Sequence, residues 1–177
     1  MRLHARLRRF KRDTKGLAAV EFAILLPMMV ILLFGSIEIV DLLQANTRTH
    51  NAASSLADVT SRDTEISNAE VNALWDALEV LMFPNNVDNM RVCIASVRVV
   101  SASVATTEWT ECRGLGATIA TPQALPAGMM QPGSSVIVTE ATLPYASVLG
   151  MITDGEITLR HRAHRRSRLV DPIPRVS

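Results

Sequence analysis

The sequence predicts an α+β protein: a long N-terminal transmembrane and stalk helix, followed by a small headpiece of one helix plus an antiparallel sheet. Three observations carry that expectation. An uninterrupted apolar run follows a basic N-terminus, a capped amphipathic segment comes next, and the C-terminal half is a series of short β-branched runs separated by turn residues.

The apolar run is Leu17 to Ile37, LAAVEFAILLPMMVILLFGSI, with Glu21 as its only charge. At about 1.5 Å per residue it matches a hydrocarbon core about 30 Å thick. Pro27 would break a helix in water, but a membrane helix accommodates it. Composition agrees, since 48 % of the 177 residues are hydrophobic and only 4 % aromatic, the excess lying in this segment. The run is longer than the 7–15 apolar residues of a secretory signal, and no small-x-small site follows it.

Charge assigns topology. Residues 1–16 hold Arg2, Arg6, Arg8, Arg9, Lys11, Arg12 and Lys15 against Asp13, a net of +6, which leaves −5 on the remainder of a chain whose total is +1. The positive-inside rule then places the N-terminus in the cytoplasm and everything after the apolar run outside. A basic tip on an acidic body is not a nucleic-acid-binding surface. The expected division is a leader at 1–16, a membrane helix at 17–40, a helical stalk extension at 41–62 and an exported headpiece at 63–177.

The stalk follows because LLQANTRTHNAASSLADVTSR, from Leu42, contains neither proline nor glycine. One helix is expected to run from about residue 18 to 60, with Leu42, Leu43, Ala53, Leu56 and Val59 as a thin apolar stripe. Ser67-Asn68-Ala69-Glu70 is a capping box that opens a second helix, and Val71, Leu74, Trp75, Leu78, Leu81 and Met82 form its apolar face before Pro84 stops it. Strands are expected at VCIASVRVV from Val92, near Trp109–Cys112, at 134–143 and at 156–164, with a Pro/Gly-rich loop between Thr121 and Gly133. Cys93 and Cys112 lie 19 apart, in neither a CxxC pair nor a metal-ligand spacing. Both a disulfide and two buried thiols fit them.

No catalytic or metal-binding constellation is evident. His161 and His164 fall on opposite faces of a strand, His50 stands alone on the stalk, and no serine lies in a GxSxG context. No cofactor or small-molecule substrate is expected. Arg160, Arg162, Arg165, Arg166 and Arg168 make a C-terminal basic run. It would either touch anionic lipid headgroups or an acidic partner, or decorate an edge strand with charges that discourage sheet-to-sheet pairing.

The most specific cluster is Lys15-Gly16-Leu17-Ala18-Ala19-Val20-Glu21-Phe22. A basic leader ends in glycine, the apolar helix starts at once, and a carboxylate sits where it costs energy, on the order of 2.5–3.5 kcal/mol at a bilayer's centre and less near its edge. This N-terminus, with AVEFAILLP, resembles that of type IV prepilins and, more closely, of the TadE/TadG-like minor pilins (pseudopilins) of the Tad/Flp tight-adherence pilus. The resemblance implies cleavage by a prepilin peptidase between Gly16 and Leu17, and subunit assembly through Glu21 and Phe22 as the fifth and sixth mature positions. It implies a single-pass inner-membrane protein whose partners are the peptidase, other pilins and Tad-type assembly proteins, with a role in pilus biogenesis and adhesion. An uncleaved single-pass scaffold of an envelope complex and a pilus-tip binding module are the alternatives. The family often has glycine-arginine after its second glutamate, where this chain reads Ile37-Glu38-Ile39-Val40-Asp41.

Overall fold

A computed structural model describes residues 15–119, 125–147, 149–150 and 155–177. The leader up to Thr14, with its charges and His4, lies outside the described residues. Helix α1 spans Lys15–Thr60 without interruption, Pro27 included. Helix α2 spans Asn68–Met82, and Ser67 caps it as expected: its hydroxyl accepts from the Glu70 amide at 3.3 Å while the Glu70 carboxylate accepts from the Ser67 amide at 2.6 Å. Strands β1 (Arg91–Val99), β2 (Ala105–Arg113), β3 (Ser135–Ala146) and β4 (Glu156–Arg166) form one antiparallel sheet in the order β2-β1-β3-β4.

Side-chain alternation in the strands divides the core in two. One face of the sheet, with Val92, Ile94, Ile137, Ala141, Leu143 and Leu159, packs against both helices. The half of α1 that meets β3 and β4 is lined by small residues: Ala45, Ala52, Ala53 and Ala57 are essentially inaccessible, with Leu56 among them. This corrects the stripe expected from sequence, because Leu43 and Val59 are about half exposed. Alanines at helical spacing let the α1 backbone lie close to the sheet, which larger side chains would prevent.

Beneath β1 and β2 the same face is covered by α2 and by the C-terminal tail. Ile173 is fully buried, its carbonyl accepts from Trp109 Nε1 at 2.8 Å, and Arg175 pairs with Glu111 at 2.8 Å. A parallel bridge joins Ile66 to Arg175.

The opposite face follows from topology. Because β1 lies between β2 and β3, the chain leaving β2 must cross β1 to reach β3. The crossing includes a short 3-10 turn at Ala127–Met129, where a plain loop was expected, and it covers Ala95, Val97, Val136 and Val138 with Ala117, Ile119, Met129 and Met130. Cys93 and Cys112 are opposed in the β1–β2 register, with Cα atoms 4.1 Å apart, and are joined by a disulfide. Gly114 starts the crossing at φ +102°, with its missing Cβ only 2.3 Å from the Met90 carbonyl oxygen. No side chain fits there.

Truncating Leu56, the largest α1 side chain buried against the sheet, is expected to lower unfolding free energy by about 2–5 kcal/mol. Denaturant unfolding of the Leu56→Ala chain in detergent checks this; a loss under about 0.5 kcal/mol would mean that α1 does not carry the core. Gly114→Ala combines steric overlap with an unfavourable φ, and its melting temperature is expected to fall by several degrees.

Candidate functional site

The two halves of α1 differ in what surrounds them. From Gly16 to Val40 all but Gly35 and Glu38 are exposed, Leu17 at 62 % and Phe22 at 59 %, so the side chains of an apolar face some two dozen residues long have no counterpart in the fold. From Asp41 onward the helix is bonded into the sheet. By length and composition this one helix can cross a membrane, and the chain fits a single-pass membrane protein.

Gly16, Leu17, Glu21 and Phe22 all lie on the first two turns of α1. Leu17 and Glu21 are four residues apart and share a face, about 6 Å along the axis. Glu21 is exposed there, and no atom lies within 4 Å of where a Gly16 Cβ would sit. Cys93 and Cys112 belong to the sheet, on its far face from α1, and form no site with these residues. Among the described residues no group of three or more His, Cys, Asp or Glu is placed to hold a metal.

Sequence reasoning missed the seam just beyond the apolar segment. The Tyr145 hydroxyl donates to Asp41 at 2.7 Å, His161 Nε2 and Asn46 Oδ1 lie 2.8 Å apart, and His50 meets the His161 ring edge-on with centroids 5.4 Å apart. His50 therefore does not stand alone. Further along, Asp58 receives Arg168 at 2.6 Å and Arg165 at 4.0 Å. The order of these contacts shows β4 running beside α1 in the same direction. Seventeen helical residues from Asp41 to Asp58 rise about 26 Å, and eight strand residues from Ile157 to Arg165 rise about 26 Å as well. Equal lengths keep the polar ties in register over the whole seam.

Residues 16–58 match the family model described as TadE-like protein. The chain carries a TadE-like segment. It takes in nearly all of α1, both its exposed apolar half and its sheet-bound half, and stops short of the sheet itself. No curated protein and no solved structure gives a significant match.

The seam of this TadE-like helix titrates. Burial and then the Asp41 hydrogen bond push the Tyr145 hydroxyl up to about 12, while burial and then the His50 charge lower His161. On the opposite face of the sheet, away from the seam, burial and then Arg162 lower His164. Folding thus favours neutral Tyr145, so its stabilisation is complete below pH about 10 and is lost as pH rises through about 12. Folding also favours neutral histidines, so their stabilisation is present above pH about 6.5 and is lost as pH falls below it. Unfolding midpoints measured from pH 4 to 8 are expected to drop below about 6.5, less steeply for His161→Gln; an unchanged slope would remove His161 from the account. Tyr145→Phe should cost about 1 kcal/mol at pH 7 and flatten the alkaline limb.

Proposed function

We propose that the chain is a minor pilin of the Tad pilus, made as a precursor and cut by a prepilin peptidase between Gly16 and Leu17. The observation that carries this reading is the division of α1: one continuous helix gives its second half to a folded body and leaves the first half, Leu17 to Val40, apolar and uncovered. Such a half has two suitable environments, lipid and the packed helices of a filament. A pilin passes from the first to the second.

The proposed chemistry gives Glu21 its purpose. Hydrolysis of the Gly16–Leu17 bond frees the Leu17 α-amine, protonated near neutral pH, one turn from the Glu21 carboxylate. That pairing, within the chain or with a neighbouring subunit, offsets the cost of a carboxylate in an apolar setting. Ala18, Ala19 and Ala23 allow close helix approach beside it, and Phe22 fills the adjacent contact. In this reading the leader stays in the cytoplasm, the helix crosses the inner membrane, and the sheet lies in the periplasm or on the pilus. The partners are the peptidase, other pilins and Tad-type assembly proteins.

Mass spectrometry of the membrane-associated protein is expected to show a chain beginning at Leu17, and Gly16→Ala to leave the precursor intact. Glu21→Ala should be processed normally and yet abolish piliation, a loss far beyond tenfold in sheared surface material. A mature protein that retains residues 1–16 would instead support an uncleaved scaffold. Normal filaments lacking attachment after changes confined to the sheet surface would support a tip binding module.

A further inference from the structure

The C-terminal arginines divide into two groups. At the end of β4 far from the apolar helix, Arg165 and Arg168 meet Asp58, while Arg166 donates to Gln131 and to the Gly128 carbonyl, each at 2.6 Å. Each of those side chains is engaged by a partner within the fold. At the near end, Arg160 and Arg162 share one acid, Glu140, which is buried on the far face of the sheet from α1; Arg162 Nε donates to it at 2.9 Å. The β1–β3 and β3–β4 registers bring a third arginine into the group: Arg91, Thr142 and Arg160 are successive neighbours across three strands. Arg91 has no ion pair among the described residues. Of the three, Arg91 and Arg160 face a single cleft, and against Glu140 they leave it a net of +1.

Arg91, Glu140, Thr142 and Arg160 line a cleft of about 200 Å³. Its wall is completed by Thr158 and by Gly116–Thr118 of the crossing segment. Both the charge and the hydroxyls favour an anion with several acceptor oxygens. Two guanidinium groups on either side of a threonine suit a tetrahedral oxyanion, which takes paired N–H donors from each arginine and an O–H from between them. Glu140 holds the Arg160 guanidinium in place in advance, which reduces the ordering cost of binding.

The position of the cleft indicates the origin of the anion. Tyr145 ties β3 to Asp41, the first residue beyond the apolar segment, and the Arg91–Thr142–Arg160 row lies three strand residues further on, about 10 Å. The headgroup layer of a bilayer is about 5–8 Å deep, and an extended arginine spans the difference.

We propose that this cleft binds a phosphate group between Arg91 and Arg160, with the threonine hydroxyls as further donors, and that the headgroup of an anionic phospholipid supplies it. The site depends on neither leader cleavage nor filament entry. Its failure and the failure of the pilin reading are therefore separate results.

The test uses the full chain in a neutral detergent, titrated with dihexanoyl phosphatidylglycerol, with dihexanoyl phosphatidylcholine and with inorganic phosphate. Backbone amide resonances of Gly116, Ala117 and Thr118 are followed by NMR. Phosphatidylglycerol is expected to shift these amides saturably, and Arg91→Gln to weaken its binding about tenfold, a change that one lost charge-assisted contact supplies. Arg166→Gln, on the same strand but outside the cleft, is expected to leave it unchanged. Tighter binding of phosphatidylglycerol than of phosphate assigns the site to a headgroup, and equal binding assigns it to soluble phosphate esters. Absence of saturable shifts from any of the three ligands with the unaltered protein would overturn the proposal. So would equal weakening by Arg166→Gln and Arg91→Gln, which would mean diffuse charge attraction and no site.

Discussion

The close approach of α1 to strands β3 and β4 is the contact on which the rest of the structure depends. It requires side chains no larger than alanine along most of one helix face, and Ala45, Ala52, Ala53 and Ala57 supply them. Small residues bury little area each, on the order of 1 kcal/mol or less per methyl group. The seam is therefore secured by what surrounds them: Leu56, the Tyr145–Asp41 bond, the His161–Asn46 contact and the arginines around Asp58. Packing sets the distance between helix and sheet, and the polar ties set their register. Were either lost, the exposed half of α1 would be joined to the folded body by a helix alone.

The sheet holds two cores because its strand order forces the β2–β3 connection across one face. That crossing converts what would be a solvated surface into a second apolar cluster, with the Cys93–Cys112 disulfide at its side. It starts at the end of the sheet nearest Asp41, where Gly114 lies against Met90. Its first residues, Gly116 to Thr118, form one wall of the arginine-lined cleft, so the same topological constraint that builds the second core also bounds the cleft.

Much of this was legible in the sequence, and the parts that were not have physical reasons. The apolar run, the capping box at Ser67 and the alternation in 156–164 are local patterns, and each corresponds to an element. The helix face was misjudged because Leu43 and Val59 are more hydrophobic than the alanines, yet geometry favours the smaller residue at a close contact. Strand β3 extends to Ala146, past Pro144, which local rules would place outside a strand. Pro144 lies beyond the last β1 partner and pairs with Thr158 alone, so there β3 is in effect an edge, where proline is tolerated. Both the partner of His50 and the grouping of Arg91 with Arg160 are long-range contacts that no spacing along the chain encodes. The cluster around Gly16 and Glu21 is the reverse case. It is plain in sequence and almost silent in the fold of one chain, because its partners are expected in other molecules.

The parallel course of β4 and α1 has a mechanical consequence. A pull along the helix axis, applied at its apolar end, reaches the sheet as a sliding force spread over the length of the seam. It does not concentrate at one end and open the contact like a zipper. Every tie from Asp41 to Asp58 would have to yield nearly together, and the survival time of the folded body under tension is set by the rate of that concerted rupture. The helix is a handle fastened along its length.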